Sequence, residues 1–312
     1  MYKIAATSKM AQAEIPVVDL YVGLGRTIRQ VRKACESQGC FFLKCDNSKV
    51  PISLREDMFR GMVAIFDLPE EIKNKYVSPK PYRSYLGKSS IAPFHQSFGV
   101  DDAHRLEAAQ AFTNLMWPQG NPSFCETLTT LSSKMLELSL LILKMIFESF
   151  GLESQYESHI ENSTSMFRVM KYEVPPSSLD SAISLVAHTD KNAITILCDN
   201  GVPGLEVQTK DGKWAEVVIP QNSFFVIVGD ALKAWSNGRL QAAKHRVVIS
   251  GDKDRYSSGL FLIPKEEAMI EVPEELVDKD HPLLYRPFYF ADYMSYYVSM
   301  LSDDALDIYA GI

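Results

Sequence analysis

The feature that most constrains this chain is a change of hydrophobic period near residue 166. Beyond it, short apolar runs at 167–172, 182–187, 193–198, 204–208, 214–218, 224–228, 245–249 and 256–262 alternate with turn residues. Asp199-Asn200-Gly201, Asp211-Gly212 and Gly251-Asp252 lie between runs as expected hairpin turns. Evenly spaced short strands of this kind build a sandwich, a barrel or a jelly roll.

Ahead of that switch the period is mostly helical. Ile15-Pro16-Val17-Val18-Asp19-Leu20 is a short strand-like opening, after which Leu24, Ile28, Val31 and Cys35 recur at three- and four-residue steps within 23–38. Gly39 stops that helix, and Cys40-Phe41-Phe42-Leu43 follows as a buried strand. A second helix is expected over 53–66. Leu68-Pro69-Glu70-Glu71 starts a third, with proline at its first turn and acids near its positive end. The longest is expected over 122–151, where Leu128, Leu131, Met135, Leu138, Ile142 and Met145 form one core-packing stripe. The Pro-, Ser-, Tyr- and Gly-rich stretch 79–102 has no period and reads as an ordered, irregular excursion. From Phe288 the chain is aromatic-rich with a helical period.

Composition narrows the class. With 46% hydrophobic and 23% charged residues among 312, the chain is globular and large enough to need no disulfide or metal staple. Thirty-two basic against 39 acidic residues give a net charge of −7, the wrong sign for a binder of nucleic-acid phosphates. The cysteines, Cys35, Cys40, Cys45, Cys125 and Cys198, are odd in number and form no C-x-x-C pair, which suits free thiols in a reducing compartment. Residues 1–10 lack the apolar core of a signal peptide. The apolar run 138–146 is broken by Lys144 and is too short for a bilayer. The expectation is a cytoplasmic monomer without nucleic-acid or membrane partners.

His188-Thr189-Asp190 ends the apolar run 183–187, and in extended chain its imidazole and carboxylate leave on one face. His245, in Lys244-His245-Arg246-Val247-Val248, offers a third ligand. Two imidazoles and a carboxylate suit the facial triad of non-haem Fe(II) oxygenases, but also a hydrolytic zinc ion. Arg255-Tyr256-Ser257 separates the two readings. Arg255 and Ser257 share a face of the next strand and together suit an anionic co-substrate, which a zinc hydrolase does not need. The whole pattern is H-x-D, 54 residues, H, nine residues, R-x-S. A catalytically idle barrel is a third reading, one that would be expected to have lost a ligand. His95, His104, His159 and His281 sit in polar sequence without partners at ligand spacing and are expected at the surface or behind the site.

On these residues the chain resembles the plant-type Fe(II)/2-oxoglutarate-dependent dioxygenases over nearly its whole length. Ile15 to Leu20, Gly39-Cys40-Phe41-Phe42 and Leu68-Pro69 are similar to the family's N-terminal region. The resemblance implies an α+β fold with a mainly β core: a double-stranded β-helix (jelly roll), wrapped by helices from the N-terminal half and the C-terminus. It implies an N-terminal region over 1–120 and a jelly-roll core with supporting helix and C-terminal lid over 121–312, in one compact unit. It implies Fe(II) on His188, Asp190 and His245. It also implies 2-oxoglutarate on Arg255 and Ser257 with Tyr172 assisting, O2 as second co-substrate, and ascorbate in support. The family often has Asn-x-Tyr-Tyr-Pro where this chain has Met170-Lys171-Tyr172-Glu173-Val174. Asp190 is intact, whereas halogenating relatives replace that carboxylate.

Phe112-Thr113-Asn114-Leu115-Met116-Trp117-Pro118, Arg168-Val169-Met170-Lys171-Tyr172 and Ala234-Trp235-Ser236-Asn237-Gly238-Arg239 look like the glucosinolate-modifying AOP-type subgroup. That subgroup also holds lignan ring-closing and alkaloid-hydroxylating members. The implied substrate is a mid-sized, largely apolar plant specialised metabolite. Hydroxylation is the leading outcome, with desaturation, O-demethylation and oxidative ring closure as alternatives. Phe261, four residues past Ser257, is expected to face the pocket, and Phe288, Phe290 and Tyr293 to form a lid.

Overall fold

A computed structural model describes residues 15–89, 92–176, 178–302 and 304–312. The expectation for residues 1–10 lies outside them. The front half runs β1 (Val17–Asp19), α1 (Leu24–Ser37), β2 (Cys40–Lys44), α2 (Ile52–Phe66), α3 (Glu70–Lys73), β3 (His95–Asp101), α4 (Leu106–Met116), α5 (Pro122–Phe150) and α6 (Tyr156–Glu161). Then come β4 (Ser163–Tyr172), β5 (Ser181–His188), β6 (Ile194–Asp199), β7 (Leu205–Gln208), β8 (Trp214–Glu216) and β9 (Ser223–Val228). The chain closes with α7 (Asp230–Trp235), β10 (His245–Ser250), β11 (Arg255–Pro264), β12 (Met269–Ile270), β13 (Phe288–Tyr289), α8 (Phe290–Met300) and α9 (Ala305–Ala310). All the apolar runs beyond residue 166 are strands.

They form two facing sheets. The larger has seven strands in the order β1-β2-β9-β6-β11-β4-β3, and the smaller has four in the order β5-β10-β7-β8. Only Asp211-Gly212 joins strands that pair with each other, β7 and β8. The turn at Gly201 instead carries the chain from β6 in the large sheet to β7 in the small one. The turn at Gly251 carries it back from β10 to β11. Positive φ at Gly201 (78°), Gly212 (79°) and Gly251 (85°) makes each a sharp reversal. Turn chemistry is local, so it marks the reversal without saying which sheet receives the next strand. Alternation between sheets is what makes this a jelly roll.

The central strands β6 and β9 of the large sheet are buried on both faces, which is why they read as apolar runs. On β9, Phe224, Val226 and Val228 enter the core under the helices, while Phe225 and Ile227 enter the core between the sheets. Helix α5 lies across the outer face. It starts at Asn121, whose side chain accepts from the Phe124 N–H, with Pro122 in the first turn. It ends at Gly151 in the left-handed region. Its predicted stripe is buried in the helix-side core, each such side chain contributing about 1.5–3 kcal/mol. The 120/121 boundary falls in the short turn between α4 and α5.

The excursion 79–102 is not irregular throughout. Its end is β3, the edge strand that pairs with β4 from His95↔Tyr172 to Asp101↔Met166. His95-Gln96-Ser97-Phe98-Gly99 places polar groups on the cavity side, so the apolar alternation that marks a strand is missing. Among the described residues no helix is long and apolar enough to cross a membrane.

Candidate active site

His188 is the last residue of β5 and His245 the first of β10, and they stand directly opposite in the antiparallel pair. Their rings lie 4.3 Å apart. His188 Nδ1 donates to the Val186 carbonyl at 2.9 Å and His245 Nδ1 to the Ala243 carbonyl at 3.1 Å. Those bonds fix the proton on Nδ1 and leave both Nε2 lone pairs available to a metal. Asp190 Oδ1 sits 3.8 Å from one Nε2 and 3.9 Å from the other, too far for hydrogen bonds. Its Oδ2 accepts from Thr195 Oγ1 at 2.6 Å, which holds the carboxylate in place. One donor atom from each residue lies within 4.8 Å of the others. Burial, then the neighbouring His245, pushes His188 down to about 4, so its ring is neutral at pH 7.

The same cavity is lined by Tyr172, Arg255, Ser257 and Phe261 as well as by the triad. Register places Arg255 opposite Tyr172 and Ser257 opposite Met170. Arg255 is 1% exposed. Its Nη2 donates to Asp199 Oδ2 at 2.9 Å, while its Nε is buried and has no partner among the described residues. Its guanidinium lies 5.3 Å from the Tyr172 ring, and His95 packs against that ring at 4.8 Å. A buried, half-satisfied guanidinium with an adjacent hydroxyl suits a carboxylate. The donor sets therefore fit Fe(II) at one end of the cavity and 2-oxoglutarate at the other.

Phe261 faces the cavity. Phe288, Phe290 and Tyr293 do not: all three are buried in the helix-side core. Phe288 and Tyr293 pack on Tyr309, and the Tyr293 hydroxyl donates to Asp230 Oδ2 at 2.6 Å. The helical period was right, but it fixes which residues share a face and not which layer that face meets. One turn further along α8, Tyr297 stands over Lys191 at 4.4 Å and its phenol meets that of Tyr82.

Of the histidines expected at the surface or behind the site, His95 is buried and His159 is half-buried. His95 is 6% exposed, its Nδ1 has no partner among the described residues, and burial holds it neutral, pushed down to about 3. His159 lies edge-on to Phe147 at 5.1 Å. His104 meets Ser165 Oγ, and His281 is exposed beside Asp278. Arg168 also lines the cavity. The sequence carried a signal for it, since it precedes Tyr172 by four residues on one strand and so shares its face. His95 and Tyr82 had no such signal, because they lie in the aperiodic excursion.

A jelly roll with two imidazoles and one carboxylate converging inside it defines the class of a non-haem iron oxygenase. The chain matches the 2OG-Fe(II) oxygenase superfamily over residues 164–264, and the N-terminal region of non-haem dioxygenases in morphine synthesis over 15–114. It is 42% identical over 272 residues to the probable 2-oxoglutarate-dependent dioxygenase AOP1.2 of Arabidopsis thaliana, covering 86% of this chain and 83% of that protein. Among solved structures it is similar to the rice dioxygenase for auxin oxidation, with TM-score 0.82 and 30% identity over 96% of this chain and 100% of that one. It is also similar to JOX2 in complex with 2OG, Fe and JA, with TM-score 0.77 and 26% identity over 90% and 84%. The chain belongs to the plant 2-oxoglutarate- and Fe(II)-dependent dioxygenases and is similar to their AOP1 type. It is an oxidoreductase that uses Fe(II) and 2-oxoglutarate, which sets aside the zinc-hydrolase and idle-barrel readings.

Proposed function

We propose that this enzyme hydroxylates a mid-sized plant specialised metabolite, with His188, Asp190 and His245 as iron ligands and Arg255 and Ser257 as the anchor for the far carboxylate of 2-oxoglutarate. The observation that carries the reading is Arg255, a buried cation with an unpartnered Nε in the same cavity as the triad. Bound iron would let O2 act as the oxidant, one oxygen atom entering the substrate and the other entering 2-oxoglutarate as it is oxidised to succinate and CO2. The chain's own part is position. Carbonyls of Val186 and Ala243 orient the two imidazoles, Thr195 orients Asp190, and Asp199 orients Arg255. Tyr172, whose ring lies 5.3 Å from the Arg255 guanidinium, lines the same cavity and would assist in holding the 2-oxoglutarate carboxylate. Phe261 gives the organic substrate an apolar surface.

Desaturation, O-demethylation and ring closure need the same residues, and substrate geometry selects among them. The relatives' names support a small organic substrate, since the JOX2 complex holds JA beside 2OG and Fe. Ascorbate is expected to sustain turnover. The five buried free cysteines support a reducing, cytoplasmic setting, and a monomer is the proposed working unit.

The test is anaerobic titration of metal-free protein with Fe(II) and 2-oxoglutarate, followed at the visible charge-transfer band of the chelate. The band is expected in the native chain, lost in Asp190→Ala, and formed only at higher 2-oxoglutarate in Arg255→Lys. Folded native protein that gives no band at excess iron would overturn the assignment.

A further inference from the structure

Helix α2 carries an arginine on an otherwise apolar stripe. Ile52, Arg55, Phe59 and Val63 recur at three- and four-residue steps and so share one face. That face lines a second cleft, of about 620 Å³, against the turn after β6 and the segment leading into β9. Small-molecule sites have volumes in this range. Cys198 and Tyr256 in the cleft wall belong to the helix-side core, so the large sheet separates this cleft from the triad.

Arg55 is 5% exposed, and its guanidinium lies 3.9 Å from the ring of Phe224, a fully buried residue of β9. Its Nη1 donates to the carbonyls of Gln221 and Ser223 at 2.9 and 2.8 Å, which uses both hydrogens and fixes the guanidinium plane. Nε and Nη2 are buried with no partner among the described residues. Those two nitrogens form one edge of the guanidinium, whose parallel N–H bonds match the two oxygens of a carboxylate. Among the described residues, Arg168, Arg246 and Arg255 each leave a single buried nitrogen without a partner, and Arg55 leaves a whole edge. Arg246 and Arg255 also hold Glu206 and Asp199, whereas no carboxylate among the described residues pairs with Arg55. A buried cation in that condition is costly, and an anion on the open edge would offset the cost.

The charges around the cleft select the anion. Asp199 is taken by Arg255, and Arg60 is paired with Asp57. Glu56 lines the cleft from an exposed position. One open guanidinium edge with a carboxylate nearby suits a single negative charge and disfavours a phosphate dianion. Phe59, Tyr256, Ile52 and Ile219 supply apolar wall.

We propose that this cleft is a second ligand site that takes a small organic monocarboxylate, with the carboxylate on the Nε–Nη2 edge of Arg55 and the apolar body against Phe59 and Tyr256. Lying across the sheet from His188, Asp190 and His245, the occupant is bound without being oxidised. The site stands or falls separately from the assignment of iron and 2-oxoglutarate.

The test is calorimetric titration of the native chain, held anaerobically with Fe(II) and 2-oxoglutarate, with benzoate, 3-phenylpropanoate and 1-naphthoate, each beside its methyl ester. The acids are expected to bind about 10-fold more tightly than their esters, and more tightly than inorganic phosphate. Arg55→Gln should bring the acid-to-ester ratio near one, and Arg55→Lys should keep part of it. Val63→Glu, at an exposed position in the cleft, should lower the ratio about 3-fold with melting unchanged, which keeps the test decisive if Arg55→Gln does not fold. Because the ratio is taken within each protein, a general loss of stability does not mimic these effects. No acid binding, esters or phosphate binding as well as the acids, or a ratio that survives in these variants overturns the proposal. Acid binding that shifts the charge-transfer band and persists in Arg55→Gln also overturns it, since the acid would then occupy the active cavity. A native chain that gives no band but loses acid binding in Arg55→Gln overturns the iron assignment and supports the second site.

Discussion

The two faces of the large sheet are made by the same strands and differ in almost everything else. Along β11, Tyr256, Leu260 and Leu262 point toward the helices, and Arg255, Ser257 and Phe261 point into the cavity. Along β4, Phe167 and Val169 point outward, while Arg168, Met170 and Tyr172 point inward. One residue of register separates apolar packing from chemistry, and a slip by one would exchange them. The outer face meets close-packed helices, so its side chains are judged by volume. The inner face meets a cavity, so its side chains can keep unpaired donors for ligands. Stability and activity should therefore respond to different residues on one strand.

The largest separation is expected at the cavity. Asp190→Ala should cut 2-oxoglutarate turnover more than about 100-fold, since even outer-shell partners of metal ligands are worth 10- to 100-fold. The metal-free protein should melt close to the native value. A variant that unfolds instead would make the carboxylate a structural element. On the outer face, Leu260→Ala should cost about 2–5 kcal/mol in denaturant unfolding, for a side chain that is 0% exposed, with 2-oxoglutarate affinity little changed. Ser257→Ala, three residues away on the inner face, should do the reverse. It should weaken 2-oxoglutarate about 10-fold with stability shifted by less than about 0.5 kcal/mol. If both variants lose stability alike, the two faces are not independent.

The smallest effect concerns pH. His159 is packed by α6 against the outer core, and burial pushes it down to about 4 from the ordinary 6.5. Below pH 6.5 the unfolded chain takes up a proton that the folded chain refuses until about pH 4. Stability at His159 is therefore full above 6.5 and is lost as pH falls from 6.5 toward 4. His159→Phe should gain on the native chain across that window when melting is followed against pH. Parallel curves would show that the ring is solvated.

Much of this was legible in sequence where a local rule applies. The strands beyond residue 166, the α5 stripe and the H-x-D, H, R-x-S pattern depend on periods and spacings that a side chain and its neighbours fix alone. His95 escaped because β3 is an edge strand with a polar inner face. Phe288, Phe290 and Tyr293 were misplaced because an aromatic helix face packs equally well on a core or over a pocket.

The sequence by itself determined which residues share a face, and so that His188 pairs with Asp190 and Arg255 with Ser257. Only the tertiary structure decided that β5 and β10 lie side by side, bringing His245 opposite His188. It alone decided that Arg255 receives Asp199 while Arg168 receives no carboxylate among the described residues. The physical reason is range. Backbone periodicity acts over a few residues, whereas the partners of a buried charge come from strands whose neighbours are chosen by the packing of two whole sheets.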